Sequence, residues 1–200
     1  FDEGSGTTVE DYMNGFIGSF SSGDGGVSNV TFDSANAKFG SALRFPTNAW
    51  VTTNAYSAQL GIAGGNPRTI SFWLFAETGN DGNRGPYGIG QRSCPNSTHR
   101  MWGIRGFWNS NFRQFRSQHW CWDPDVWVSE GMRDKWMHIA HLYTGSRVQV
   151  YVNGTQRRDW SRDDIDTGGT FPLQFGRWTE ENNLARTFKG LIDDLKLYVH

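Results

Sequence analysis

The sequence lacks any apolar run long enough to cross a membrane. A transmembrane helix needs about 18 consecutive apolar residues, and the most apolar stretch, residues 69–76, is already interrupted by Ser71. We therefore predict that the chain has no membrane span.

The chain also lacks an excess of charge of either sign. Its 19 Lys and Arg residues are balanced by 20 Asp and Glu residues, so the formal net charge is -1. Proteins that bind nucleic acid usually present a basic field to the phosphate backbone. The balance therefore predicts that nucleic acid is not a partner.

Lysine and cysteine are scarce. Four Lys stand against 15 Arg, and Cys94 and Cys121 have 26 residues between them, without the spacing of a metal site. The pair predicts a disulfide in a secreted protein; the alternative is two buried, inert thiols. The chain begins at Phe1 with no leader. We therefore expect a secreted or cell-surface protein, either processed or cut from a longer chain whose other domains are its partners.

Helical periodicity is nearly missing, since only residues 55–62 fit a turn or two of helix. Residues 69–75, 136–143 and 147–152 are rich in β-branched and aromatic side chains, and turn signals such as the Asn-Gly pair at 153–154 bound them. About a dozen short strands without a linker predict one all-β domain over residues 1–200. Its expected architecture is a two-sheet antiparallel β-sandwich.

Five segments follow one another in an order that is known from other proteins. They are residues 1–9 with Asp11, Asn14 and Gly15, residues 39–45, residues 70–73, residues 135–140 with 150–154, and residues 188–198. Together they resemble the strands of a laminin G-like domain of the concanavalin A-like jelly-roll superfamily. The Trp-x-His strand followed by a Tyr-Val-Asn-Gly hairpin is also found in pentraxins. The resemblance implies two antiparallel sheets in a secreted or cell-surface protein that binds sugars or proteins and often holds calcium.

A structural calcium ion near the chain ends is the cofactor that we expect. In a jelly roll the first and last strands lie side by side, so the acidic residues at each end would repel each other unless a cation joined them. Calcium takes roughly six to eight oxygen ligands from carboxylates, carbonyls and Asn side chains. The candidate ligands are Asp2, Asp11, Asn14, Asp193 and Asp194. The alternative is that Asp11 and Asn14 cap turns and that Asp193 and Asp194 are solvated or paired with Arg or Lys nearby.

Half of the ten tryptophans lie within residues 102–127. Rigid indoles beside forked Arg donors suit the flat face and the hydroxyls of a sugar. By strand alternation Trp120 and Trp122 would share one face, and the turn at 123–127 would present Trp127 to solvent. The alternative is that these rings fill the core. The candidate ligand-binding residues are Arg105, Trp108, Arg113, Trp120, Trp122 and Trp127.

Motifs for catalysis are missing from the sequence. The Glu-x-Asp-x-(x)-Glu pattern of the superfamily's glucanases does not occur. His138 and His141 point to opposite faces of one predicted strand, and we expect His138 to be a core histidine. No nucleophile elbow, zinc-protease motif or phosphate loop occurs either.

These observations predict a non-catalytic, lectin-like carbohydrate-binding domain of a larger secreted protein, whose partner is a glycan or polysaccharide. Two alternatives remain open. One is a protein–protein adhesion module that uses a flat loop rim, and the other is a polysaccharide lyase or glycoside hydrolase.

Overall fold

The fold was determined as a computed structural model. It describes residues 1, 3–23, 29–80, 82–93, 99–109, 111–120, 123–169, 171–178 and 186–200, with the side chain of Trp108 left aside. Fifteen strands in two antiparallel sheets make up the regular structure of these residues. None of the described segments forms a helix of the length and apolarity that crossing a bilayer requires.

One sheet has eight strands. In spatial order they are β1 (Thr8–Glu10), β2 (Ile17–Ser22), β5 (Ala49–Thr53), β14 (Gln174–Phe175), β7 (Tyr87–Gly90), β8 (Met101–Trp108), β9 (Gln114–Gln118) and β10 (Asp125–Trp127).

The other sheet has seven strands. In spatial order they are β13 (Thr155–Ser161), β12 (Arg147–Val152), β11 (Trp136–Tyr143), β6 (Arg68–Ala76), β15 (Gly190–Val199), β4 (Ala42–Phe45) and β3 (Thr31–Asp33). The predicted two-sheet sandwich is thereby confirmed.

The strongest strand predictions are confirmed almost residue by residue. In β12 the residues Val148, Val150 and Val152 are all fully buried, which is the predicted inward face. Asn153 and Gly154 both have positive φ angles, 49° and 76°, as a type I′ turn between β12 and β13 requires. Residues 57–61 form turns, and no residue of the 55–62 segment is helical.

The first and last strands lie in different sheets. β1 is the edge strand of the eight-stranded sheet, whereas β15 lies inside the seven-stranded sheet between β6 and β4. The expectation that they lie side by side is therefore wrong. β15 is ten residues long and its first four residues are buried, so it is better placed between two partners than at an edge.

Within the mainly apolar core of the described residues, a buried polar network connects the two sheets. Tyr87 Oη lies 2.5 Å from His141 Nδ1, and Ser117 Oγ lies 2.7 Å from both His141 Nε2 and His119 Nε2. All four side chains are buried, and the His141 ring stacks on Trp102 with centroids 3.9 Å apart. Side chains from β7, β9 and β11 thus connect the two sheets through hydrogen bonds.

Neutral imidazoles satisfy this network. A chain in which Tyr87 donates to His141, His141 to Ser117, and Ser117 to His119 supplies one proton for each contact. Burial lowers the pKa of both histidines well below the ordinary value, and the Arg68 cation acts in the same direction on each. For His119 the charges of His141, Arg162 and His99 add to this effect.

The network makes stability depend on pH. Unfolded histidine titrates near pH 6.5, so at lower pH the unfolded chain binds about two protons that these two residues do not bind in the folded state. The contribution of these two histidines to the free energy of unfolding is therefore complete above about pH 7 and is lost as the pH falls. We expect the free energy of unfolding to decrease by about 2.4 kcal/mol between pH 6 and 5, in urea titrations at each pH.

The partly exposed His138 provides the control. His138→Gln should leave most of this slope in place, whereas His141→Gln should reduce it by about one proton. A wild-type slope of less than one proton in this pH range would contradict the neutral network.

Candidate functional site

The outer face of the eight-stranded sheet, from β8 to β10, contains two of the predicted ligand-binding residues, Arg105 and Trp127. The strand register places Arg105 beside Arg116, and Arg116 beside Asp125. The next outward row contains Gln114 and Trp127, and the backbone of Trp108 pairs with Gln114. We call this surface, defined by Arg105, Gln114, Arg116, Asp125 and Trp127, the β8–β10 face.

A β-bulge in β8 creates this face. The register shifts between Arg105 and Phe107, and Gly106 between them has a φ of 69°, which glycine adopts without strain. The extra residue breaks the alternation, so Arg105 points outwards while Phe107 is fully buried. Phe115 and Val126 continue the buried row across β9 and β10.

The Arg105 side chain is half-buried and held by neighbours on two sides. Its guanidinium lies 5.0 Å from the centre of the Trp178 ring, and its Nη1 donates to Asn83 Oδ1 at 3.1 Å. The Arg186 guanidinium lies 5.1 Å from the same ring. Trp178 reaches this position because Gly88 has no side chain: a Cβ there would lie 2.2 Å from the Trp178 carbonyl oxygen.

Among the described residues, charges of both signs act on Arg105. Burial lowers its pKa to about 10; the Asp123 carboxylate acts against this shift, and Arg116, Arg186 and Arg92 add to it. Arg116 itself donates from Nε to Asp125 Oδ1 at 2.8 Å.

Asp123 stabilises the backbone at the edge of the β8–β10 face. Its carboxylate accepts hydrogen bonds from His119 N at 2.7 Å and from the Gln118 amide at 2.5 Å, which fixes the end of β9. Burial raises the pKa of this carboxyl group despite these bonds.

The tryptophans of residues 102–127 differ in their exposure to solvent. Trp127 is exposed to 58%, and it lies in strand β10 where the sequence indicates a loop. Trp120 lies beyond the end of β9 with a φ of 69°, so the expected strand alternation does not apply to it. Its half-buried ring lies 3.9 Å from the Arg92 guanidinium. Trp102, in contrast, is a core residue.

Three of the predicted ligand-binding residues contribute no described side chain to this face: Trp108, Arg113 and Trp122. Arg113 is exposed but precedes β9, outside the β8–β10 face. Trp122 and the side chain of Trp108 lie outside the described part of the chain, and so do Cys94 and Cys121. The disulfide stays a prediction.

A second aromatic surface lies on the outer face of the seven-stranded sheet. Trp73 contacts His138 with ring centroids 5.3 Å apart, and Phe75 contacts Trp136 at 5.7 Å. Phe39, exposed to 54%, packs on the edge of Trp73. His138 is therefore an outward residue and His141 is the core histidine, so the expectation for His138 is wrong. The register of β11 with β6 determines which of the two histidines points outwards, and the sequence of β11 alone does not show this.

Asp11 and Asn14 form a local turn. The Asp11 carboxylate accepts from Met13 N at 3.0 Å and from Asn14 Nδ2 at 2.8 Å. Asp2 lies outside the described residues. The turn follows β1 at the edge of the eight-stranded sheet, whereas Asp193 and Asp194 belong to β15 in the other sheet.

Asp193 is bound by the chain itself. It is 2% exposed, its Oδ2 accepts from the backbone N–H groups of Lys38 and Phe39 at 2.8 Å, and its Oδ1 accepts from Asp194 N at 2.7 Å. The Asp194 carboxylate lies 2.8 Å from Lys196 Nζ. No cluster of three or more His, Cys, Asp or Glu side chains suited to a metal occurs in the described ranges, which leave out Asp2. Calcium stays a prediction of the resemblance.

Comparison with known proteins identifies the family. Residues 45–200 match the family model Laminin_G_3, concanavalin A-like lectin/glucanases superfamily. The chain belongs to this family. A search of the curated proteins found no match to the sequence.

Several solved structures share the fold of this Laminin_G_3 domain. Domain 4 of AbnA, a GH43 extracellular arabinanase from Geobacillus stearothermophilus in complex with arabinotriose, is 18% identical, with a TM-score of 0.65 over 91% of this chain and 82% of its own. The Ruminococcus gnavus IT-sialidase CBM40 bound to alpha2,3 sialyllactose is 12% identical, with a TM-score of 0.53 over 70% of this chain and 79% of its own.

A longer protein also contains a similar domain. A mutant Trypanosoma rangeli sialidase displaying trans-sialidase activity is 13% identical, with a TM-score of 0.65 over 98% of this chain. This chain covers 29% of the sialidase. At these identities the likeness shows the fold.

The Asp193 contacts predict a structural role for that residue. Asp193→Ala removes the acceptor of three backbone N–H groups, so we expect the free energy of unfolding to fall by about 2 to 4 kcal/mol in chemical denaturation. Asp194→Asn should cost less than about 1 kcal/mol, because it loses only a surface ion pair and Asn tolerates the positive φ angle at this position.

Thermal unfolding with EDTA and with added calcium, on the same three proteins, tests the metal separately. A wild-type melting temperature that EDTA lowers and calcium restores would support a bound calcium ion. Equal stability of Asp193→Ala and wild type would contradict the anchoring role.

Proposed function

We propose that this Laminin_G_3 domain is a non-catalytic carbohydrate-binding domain of a larger secreted protein, and that it binds its glycan on the β8–β10 face. The observation that carries the proposal is the position of Trp127. Its indole is 58% exposed and lies in register beside Gln114, next to the row of Arg105, Arg116 and Asp125.

The chemistry of this face matches that of a sugar. An exposed, rigid indole offers an apolar plane for the C–H face of a sugar ring, at small cost in conformational entropy. The side chains beside it supply both donors and acceptors: Gln114 has an amide, Asp125 a carboxylate and Arg116 a guanidinium fork. Since the Arg116–Asp125 pair already holds its geometry, little order has to be gained on binding.

The similar structures add support from outside the chain. Domain 4 of AbnA was solved with arabinotriose, and the CBM40 domain was solved with sialyllactose. Both cover most of this chain with the same fold. AbnA is extracellular and has several domains, which supports a similar setting here.

The arrangement of carboxylates favours binding over hydrolysis. Glycosidases use a pair of carboxyl groups, one of which delivers a proton to the leaving oxygen. On the β8–β10 face the described carboxylates near Arg105 are Asp123 and Asp125. Asp123 is occupied by the backbone and amide donors that fix the end of β9, and Asp125 is paired with Arg116. Neither is left to act as a general acid.

The proposal predicts that glycan binding depends on Trp127. Screening on a glycan array should identify a ligand, and Trp127→Ala should weaken its binding at least about tenfold in titration calorimetry, because the stacking surface is lost. Tyr12→Ala removes a ring that is 97% exposed near the other end of the same sheet, and should leave the affinity unchanged.

Three results would contradict the proposal. Unchanged affinity of Trp127→Ala would remove the β8–β10 face as the site. Absence of any glycan ligand, together with capture of a protein that depends on Trp127, would favour the adhesion function. Release of reducing ends or of unsaturated products from a polysaccharide would favour an enzyme.

A further inference from the structure

The two most exposed large apolar side chains of the described residues are neighbours in the turn between β1 and β2. Tyr12 is 97% exposed and Met13 is 80% exposed. Ile17, where β2 begins, and Tyr56, three residues after β5 ends, are also exposed. Two hydrogen bonds of 2.9 Å between Ile17 and Asn54 hold these segments side by side at one end of the eight-stranded sheet. We call Tyr12, Met13, Ile17 and Tyr56 the Tyr12 surface.

The turn that carries Tyr12 and Met13 is held by its own hydrogen bonds. Asp11 N donates to Phe16 O at 2.8 Å, and Gly15 N donates to Asp11 O at 2.9 Å. The Asp11 carboxylate accepts from Met13 N, and Gly15 has a φ of 67°, which glycine adopts without strain. The backbone below the two apolar side chains is therefore ordered before any partner binds, which lowers the entropy cost of binding.

The chain segments that build this end of the sheet carry negative charge only. Residues 1–37, which contain β1 and β2, have six Asp and Glu residues and no Lys, Arg or His. Residues 46–67, which contain β5, have no charged side chain. The net charge of the whole chain is -1. The Tyr12 surface therefore lies on an acidic part of a nearly neutral molecule.

Three of these carboxylates lie at the turn itself: those of Glu3, Glu10 and Asp11. Glu3 Oε1 accepts a hydrogen bond from Glu10 N at 2.8 Å. Glu10 Oε1 lies 3.9 Å from the position that a Cβ on Gly15 would take. None of the three carboxylates forms an ion pair with a described residue. Their field therefore acts on whatever approaches the Tyr12 surface, over roughly a Debye length of 8 to 10 Å.

This combination of rings and carboxylates selects among the possible occupants. A second copy on the same surface would place two sets of three carboxylates against each other, which is unfavourable. Apolar loops that bind a bilayer are usually accompanied by Lys and Arg, because the lipid surface is anionic, and this turn has neither. A protein segment that offers apolar side chains together with Lys or Arg matches both properties of the surface.

We infer that the Tyr12 surface docks a basic, apolar segment of a partner protein. Tyr12 and Met13 make the apolar contacts, and Lys or Arg side chains of the partner pair with Glu3 and Glu10. Tyr is among the residues that dominate interface energies, and the flexible Met side chain adapts to the shape of its partner. β1 and β10 are the two opposite edges of the sheet, so this docking does not depend on the glycan site at Trp127.

Selection from a random 12-residue peptide library displayed on phage tests the inference. The library is first depleted on the double variant Tyr12→Ser/Met13→Ser and then selected on the wild-type domain, so that the retained peptides need the Tyr12 surface. We expect these peptides to be enriched in Lys or Arg and in apolar residues relative to the starting library. In fluorescence anisotropy they should bind the double variant at least about tenfold more weakly. Retention of acidic peptides, or of none, would overturn the inference.

A charge variant tests the electrostatic part. Glu10→Gln should weaken the selected peptide about threefold, and added salt should weaken its binding to wild type. Asp163→Asn is the matched control, because it removes one negative charge from an exposed position two residues after β13, in the other sheet. It should bind like wild type. Equal losses in both variants would show unspecific attraction and overturn the inference.

The remaining measurements identify other occupants. Tyr198→Ser removes an exposed ring from β15 and should leave peptide binding unchanged, as should Trp127→Ala, so the result holds whether or not the domain binds a glycan. The melting temperature of each variant should show that it is folded. Self-association in sedimentation velocity that the double variant abolishes would assign the surface to a second copy. Binding to phosphatidylcholine–phosphatidylserine vesicles that it abolishes would assign the surface to a membrane, and either result would overturn the inference.

Discussion

The β-bulge at Gly106 is the constraint on which the candidate site depends. A regular strand would direct Arg105 and Phe107 to the same side, and one of them would then be misplaced. With one extra residue, Phe107 joins the core while Arg105 faces solvent beside Trp178. The glycine is needed because its φ of 69° is costly for a residue with a Cβ. The site is therefore a consequence of how β8 fills the core.

The buried polar network supports the same strands from the inner side. Ser117 lies on β9 beside Arg116, and it connects through His141 to the seven-stranded sheet. A polar group that is buried between two sheets must keep its partner, so the relative position of β9 and β11 is fixed more narrowly than by apolar contacts alone. The β8–β10 face thus rests on a rigid base, which lowers the entropy that a ligand has to overcome.

Much of the fold could be predicted from the sequence, because runs such as residues 69–75 and 147–152 combine β propensity with clear turn signals. The site could be predicted only in part. Exposure of Trp127 follows from its acidic, Pro-containing surroundings, whereas the turn at Trp120 and the pairing of β15 depend on tertiary contacts. Asp193 shows the limit: its sequence position resembles that of a metal ligand, but its carboxylate is taken by two amides about 155 residues away.

The charge composition, like the strand pattern, predicts the site only in part. The whole chain is nearly neutral, and this excludes a general basic field without excluding a local one. The preference for Arg over Lys becomes meaningful once the guanidinium groups are seen against aromatic rings: Arg105 and Arg186 at Trp178, Arg92 at Trp120, and Arg177 at Trp50. Arg packs on such rings and still presents planar donors, whereas a Lys ammonium holds its hydration shell. Stacking of this kind lets like charges stand close together on one sheet, and that concentration of donors distinguishes the β8–β10 face from the aromatic surface on the opposite sheet.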